Sequence, residues 1–166
     1  MPNTKQLEET IARILSRRMH TQEELRRKLQ QKGYASSEID RALNHAVSVG
    51  WLNDYEAGKQ LACEQLRHGG YGRQRVEAKL RERGVHPKVI QMILEELWGS
   101  QVESDQAAKA LKRWLSSHSA KNLANNRPAA AYQALLRRGF DPEISSQLCR
   151  ELTEDSERYD VDIGSS

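Results

Sequence analysis

Apolar residues recur along this chain at intervals of three and four, the spacing that buries one face of a helix. Leu7, Ile11, Ile14 and Leu15 form such a face, which predicts a first helix near the N-terminus. Thr21 with Glu24 makes a Thr-x-x-Glu capping box, so a second helix starts there and carries Leu25 and Leu29 inward. Gly33 stops it, since glycine takes the left-handed turn that closes a helix. Ser37 is read as the next cap, with Ile39, Leu43 and Val47 inside and Gly50 as the stop. Asn53, with Glu56 three residues later, opens another helix carrying Ala57 and Leu61. No stretch alternates with the period of two that a half-buried strand needs.

The pattern then repeats. Gly33, Gly84 and Gly139 lie 51 and 55 residues apart. A Leu precedes each at the same offset (Leu29, Leu80, Leu135), and a bulky residue follows each (Tyr34, Val85, Phe140). A helix start comes next: Ser37, His86-Pro87 and Asp141-Pro142, proline being favoured at the first helical position. The following helix is expected at Asn53-Asp54 in the first unit and near Ser104-Asp105 in the second. The fold class is therefore all-α: tandem three-helix, helix-turn-helix-like repeats in an elongated arc. The boundaries expected are 1–52, a basic repeat at 53–102, a divergent third repeat at 103–153 and an acidic tail at 154–166.

Composition adds a constraint. Only 37% of the 166 residues are hydrophobic and 5% aromatic, so a deep ligand-burying core is disfavoured and several thin cores are expected. The longest run without a charged residue, Ala42 to Asn53, is too short to cross a bilayer. No signal peptide is read at the start of the chain, where Glu8 and Glu9 follow at once. Two cysteines, Cys63 and Cys149, offer no disulfide framework and fit a reducing cytoplasm.

Net charge is +3, but it is segregated. Between Leu66 and Gly84, Arg67, Arg73, Arg75, Lys79, Arg81 and Arg83 face only Glu77 and Glu82; Glu151 to Asp162 is strongly acidic. A solvated helix face and a passive terminus account for such runs in most proteins; a polyanionic partner accounts for them as well. Gly69-Gly70-Tyr71-Gly72 favours the second account. It lets the backbone approach a partner and offers helix-start N–H groups to a phosphate, with Arg73 and Arg75 beside them. In the first repeat Glu23 precedes Arg27, and Glu24 precedes Lys28, by four residues, so intrahelical pairing absorbs much of that charge. Trp51, Trp98 and Trp114 are assigned to the core, and Tyr71 is the aromatic expected at the surface. The five histidines make no metal pattern, and no nucleophile elbow, phosphate-binding loop or zinc motif occurs. No enzyme, cofactor or metal is indicated.

Three landmarks carry a family resemblance. Leu15-Ser-Arg-Arg-Met-His-Thr-Gln-Glu-Glu-Leu-Arg-Arg-Lys-Leu29 with Lys32-Gly33-Tyr34 resembles the opening repeat of the RecX regulatory proteins. Gly50-Trp51-Leu52-Asn53-Asp54 with Ala57 resembles that family's Gly-aromatic-Leu-acidic signature. Gly70-Tyr71-Gly72 with Val76, Lys79-Leu80 and Arg83-Gly84-Val85 resembles its second repeat. The resemblance implies a cytoplasmic, non-enzymatic modulator of RecA recombinase. Such proteins bind the RecA–single-stranded-DNA filament in its groove and inhibit ATP hydrolysis, strand exchange and co-protease action, which bears on recombination and the SOS response. It implies no catalytic residue. Relatives carry more basic residues before the second-repeat glycines than Glu64-Gln-Leu-Arg67-His68 does here. The candidate partner-binding residues are Arg67, Arg73, Arg75, Lys79 and Arg83, with Arg26 and Arg27, on a chain expected to be monomeric. Two other readings are a helix-turn-helix transcriptional regulator, which lacks a dimer seam and a base-reading helix here, and a scaffold that binds only protein.

Overall fold

The computed structural model describes residues 4–117 and 127–151; the acidic tail lies outside them. Every regular element among the described residues is a helix: α1 (Thr4–Leu15), α2 (Gln22–Gln31), α3 (Ser36–Ser48), α4 (Asp54–His68), α5 (Arg73–Glu82), α6 (Pro87–Leu97), α7 (Ser100–Ser117) and α8 (Arg127–Arg137). A ninth, α9, is described over 142–151. None is long and apolar enough to cross a membrane.

The repeated Leu–Gly–bulky pattern is a repeated helix ending. Gly33, Gly84 and Gly139 have φ of 84°, 77° and 78°. At each, the residue after glycine donates its N–H to the carbonyl of the preceding Leu: Tyr34 to Leu29 (3.3 Å), Val85 to Leu80 (3.1 Å) and Phe140 to Leu135 (3.3 Å). The glycine N–H bonds to Gln30, Arg81 or Leu136 one residue further on. These are Schellman closures, which satisfy orphan carbonyls and turn the next residue back toward the helix. Leu29, Leu80, Leu135, Val85 and Phe140 are all buried.

The chain divides into two compact units, 1–63 with 78–95, and 64–77 with 96–166. In the first, Leu7, Ile11, Leu25, Leu29, Ile39, Leu43, Ala46 and Leu52 form one core, with Ile14 and Leu15 against it. Gly58 of α4 lies so close to Ile93, Leu80 and Val85 that a Cβ would meet Ile93 Cδ1 at 2.7 Å. In the second, Ala107, Ala110, Leu111 and Trp114 of α7 pack with Ala131, Ala134, Leu135, Phe140 and Cys149. Alanines of both helices, Ala107 and Ala110 of α7 and Ala131 and Ala134 of α8, are buried in that core.

The caps at Thr21, Asn53 and Asp141 form as expected, and α6 starts at Pro87. Thr21 Oγ1 accepts from Glu24 N–H at 3.1 Å, and Glu24 accepts from Thr21 N–H at 3.1 Å. Asn53 Oδ1 accepts from Tyr55 and Glu56 N–H, and Asp141 Oδ1 from Glu143 and Ile144 N–H. Four expectations are corrected. Ala35, not Ser37, is the N-cap of α3, and Glu38 returns its carboxylate to Ala35 N–H. The helix expected near Ser104 begins at Ser100, where Gly99 O accepts from Glu103 N–H. Val47 is 41% exposed, because Ala46 takes the inward place at the end of α3. Trp51 is 55% exposed: the Gly50 turn sends Leu52 inward instead, and Trp51 rests edge-on against His45.

Candidate nucleic-acid and partner interface

In the unit built from 64–77 and 96–166, the glycine segment before α5 is not an open phosphate cradle. Gly72 N–H donates to Arg138 O at 2.9 Å and Gln74 N–H to Gly139 O at 3.1 Å. Arg73 N–H donates to Glu103 Oε2 at 3.0 Å. A Cβ on Gly72 would lie 2.3 Å from Gly139 O. The close approach that glycine permits is made to the Gly139 turn of the same chain. The helix-start donors are consumed, which corrects the expectation that they face an anion.

The predicted cations divide accordingly. Arg73 donates its guanidinium to Trp98 O at 3.3 Å. Its main-chain partner, Glu103, is 5% exposed and also accepts from Trp98 Nε1 and from Asp141 N–H. Arg67 and Arg75 are exposed, with no side-chain hydrogen bond or ion pair among the described residues. Arg113, not among the predicted residues, donates to His68 O at 2.7 Å and closes the end of α4.

In the unit built from 1–63 and 78–95, Arg83 pairs with Glu24 at 3.3 Å. Arg26 pairs with Asp40 at 2.6 Å and Arg27 with Glu23 at 2.8 Å. Arg27 also donates to Glu82 O at 3.1 Å, at the open end of α5. Lys79 is half-buried and already engaged. The Glu23–Arg27 pair is the one the sequence predicts. Glu24 behaves differently: its carboxylate serves Thr21, Arg18 and Arg83 rather than Lys28. Burial raises the Glu24 carboxyl's pKa, but the Arg18 hydrogen bond, the Thr21 N–H and the Arg83 charge outweigh that and hold it below the ordinary value.

A cluster that linear charge density does not reveal lies in this unit. Arg13 and Arg17 at the end of α1 and Lys28 and Lys32 at the end of α2 line one groove of about 440 Å3 with Thr10, Ile14 and Gln31. The signal in the sequence is weak: two like-charged pairs at four-residue spacing, each closing its own helix.

Of the aromatics, Trp98 and Trp114 are buried as expected. Trp51, rather than Tyr71, is the more exposed ring, at 55% against 36%. Cys63 and Cys149 are free thiols. No His, Cys, Asp or Glu group among the described residues is arranged to hold a metal ion.

Residues 9–45 match the family model for the first three-helix domain of RecX. Regulatory protein RecX of Trichlorobacter lovleyi is 29% identical over 136 residues, covering 82% of this chain and 88% of its own. Regulatory protein RecX of Legionella pneumophila is 26% identical over 145 residues, 87% of this chain and 93% of its own. The crystal structure of RecX from Lactobacillus salivarius superposes with a TM-score of 0.76 over 90% of this chain and 96% of that one, at 17% identity, a likeness of fold. The match over residues 9–45, the relatives aligned along most of their length and the shared fold agree in making this chain similar to the RecX regulatory proteins.

Proposed function

We propose that this chain is a non-enzymatic regulator of RecA that binds the RecA–single-stranded-DNA filament and inhibits its ATP hydrolysis, strand exchange and co-protease action. The observation that carries the reading is the alignment, over 82% of this chain, with a relative named regulatory protein RecX. A cytoplasmic location and the two free thiols go with it. Among the predicted cations, Arg67 and Arg75 are exposed and uncommitted, so they lead the contact. Arg73 and Arg83 are tied to Trp98 O and Glu24 and act chiefly in the fold.

The test is RecA ATP hydrolysis on single-stranded DNA, with and without the purified chain. Inhibition at stoichiometric levels is expected, and Arg67→Gln/Arg75→Gln should fold normally and inhibit less. A rate unaffected by excess protein overturns the RecA reading. Full inhibition by the folded double variant moves the contact elsewhere.

A further inference from the structure

We infer that the groove between the ends of α1 and α2 is a second, separate anion site that takes the phosphate backbone of a single-stranded nucleic acid. Its cations are Arg13, Arg17, Lys28 and Lys32, and no carboxylate lines it. None of the four is held by an ion pair or side-chain hydrogen bond among the described residues. Four arginines of the same unit differ. Arg18, Arg26, Arg27 and Arg83 each have a carboxylate partner.

Cations in a last turn complement the negative end of a helix, and that alone explains one basic residue on α1 or α2. It does not explain why both ends converge on one groove. Arg13 with Arg17, and Lys28 with Lys32, put like charges four residues apart, the first pair running past the end of α1 and the second closing on the C-cap of α2. The carboxylate one turn before Lys28 is Glu24, and it is taken by Arg18, Arg83 and Thr21. An anion from outside would relieve the repulsion within the groove.

The lining also selects the kind of anion. Four residues of helix advance about 6 Å, which matches the reach of one or two stacked nucleotides along a strand. Ile14 is the sole large apolar residue lining the groove, and no aromatic is present. A protein partner's helix or strand would need apolar anchors here. A backbone read as a row of charges does not.

The experiment measures binding of a fluorescent twenty-nucleotide oligothymidylate to the full chain, without RecA, across a salt series. The result therefore stands apart from RecA inhibition. Wild type should bind at low salt. R13Q/R17Q/K28Q/K32Q should flatten the slope of log affinity against log salt by about 3, since each single-strand phosphate contact contributes about 0.7. Affinity at 50 mM salt should fall by about tenfold or more. If the quadruple variant does not fold, R13Q/R17Q and K28Q/K32Q should each flatten the slope by about 1.4. R13K/R17K, which keeps the charges, should retain the wild-type slope. An unchanged slope in folded variants, or no binding by wild type at low salt, overturns the site. So does polyglutamate binding more tightly than the oligonucleotide in a manner the same substitutions abolish, which would assign the groove to an acidic protein.

Discussion

The hydroxyl of Thr21 donates to the main-chain carbonyl of Arg83, 62 residues later in the chain. The same oxygen accepts from Glu24 N–H. One side chain thus caps the start of α2 and satisfies an open carbonyl at the end of α5. Thr21 is fully buried, so neither role can pass to water. Thr21→Val keeps the shape and loses both bonds. It should destabilise by about 2–3 kcal/mol, the sum of a lost cap and a stranded carbonyl. Thr21→Ser should cost under about 1 kcal/mol. Urea midpoints at constant m-value measure both; equal costs for the two variants would assign the effect to packing.

The three Schellman glycines should not respond alike to alanine. All three have positive φ, which costs a Cβ about 1–2 kcal/mol. Gly33 has nothing within 4 Å, so Gly33→Ala should show that amount and little more. A Cβ on Gly84 would meet Glu23 Cβ at 2.3 Å, and one on Gly139 would meet Arg75 N at 2.4 Å. Gly84→Ala must displace the first turn of α2, and Gly139→Ala the backbone of α5. The expected order of stability loss is Gly139 first, then Gly84, then Gly33. Thermal unfolding of the three variants tests the order; Gly33 as the most damaging would refute it.

The repeat was legible because a Schellman closure is local: Leu, Gly and the bulky residue after it lie within six positions. Thr21 and Glu24 were legible for the same reason. Trp51 and Trp98 were not separable, since each adjoins a glycine. Trp98 precedes its glycine and is drawn in by the Glu103 carboxylate, whereas Trp51 follows its glycine and yields the core to Leu52. The basic residues were the least legible. Sequence shows where charge is dense; it does not show that Trp98 O and Glu24 claim Arg73 and Arg83. Nor does it show that α1 and α2 bring four unclaimed cations together.

The tryptophans give a direct check on that distinction. Trp98→Ala removes a ring that is 3% exposed and should cost about 3–5 kcal/mol. Trp51→Ala removes a ring that is 55% exposed and edge-on to His45, 5.9 Å between ring centres, and should cost under about 1 kcal/mol. A large loss at Trp51 would place it in a core after all.

Two groups around α2 set an acid limit. His20 is buried, and burial holds its pKa below the ordinary 6.5 despite Nδ1–H donating to Arg18 O at 2.8 Å. Glu24 is held below 4.5. In both cases the folded pKa is the lower one, so the unfolded chain takes up the proton first. Their stabilisation is complete above the unfolded values, about 6.5 for His20, and is lost as pH falls through the folded ones. Unfolding free energy should therefore decline below pH 6.5 and again below pH 4.5. His20→Gln should remove the first decline; a pH profile identical to wild type would exclude His20 as its source.

Glu103 holds the start of α5 and the start of α9 in one carboxylate. Oε2 accepts from Arg73 N–H at 3.0 Å and from Trp98 Nε1, while Oε1 accepts from Asp141 N–H at 3.1 Å. Glu103→Gln keeps the shape and one acceptor oxygen. If that oxygen serves Arg73 and Trp98, the amide nitrogen faces the Asp141 N–H, donor against donor. The expected loss is about 1–3 kcal/mol, and hydrogen exchange at Asp141 should quicken more than at Arg73. Glu103→Ala strands all three donors and should cost about 3–5 kcal/mol. Because Trp98 is one of the three, Trp98→Phe combined with Glu103→Ala should cost less than the two single changes added. Strict additivity in that cycle would mean the indole and the carboxylate stabilise the unit independently, and the shared hydrogen bond carries no weight.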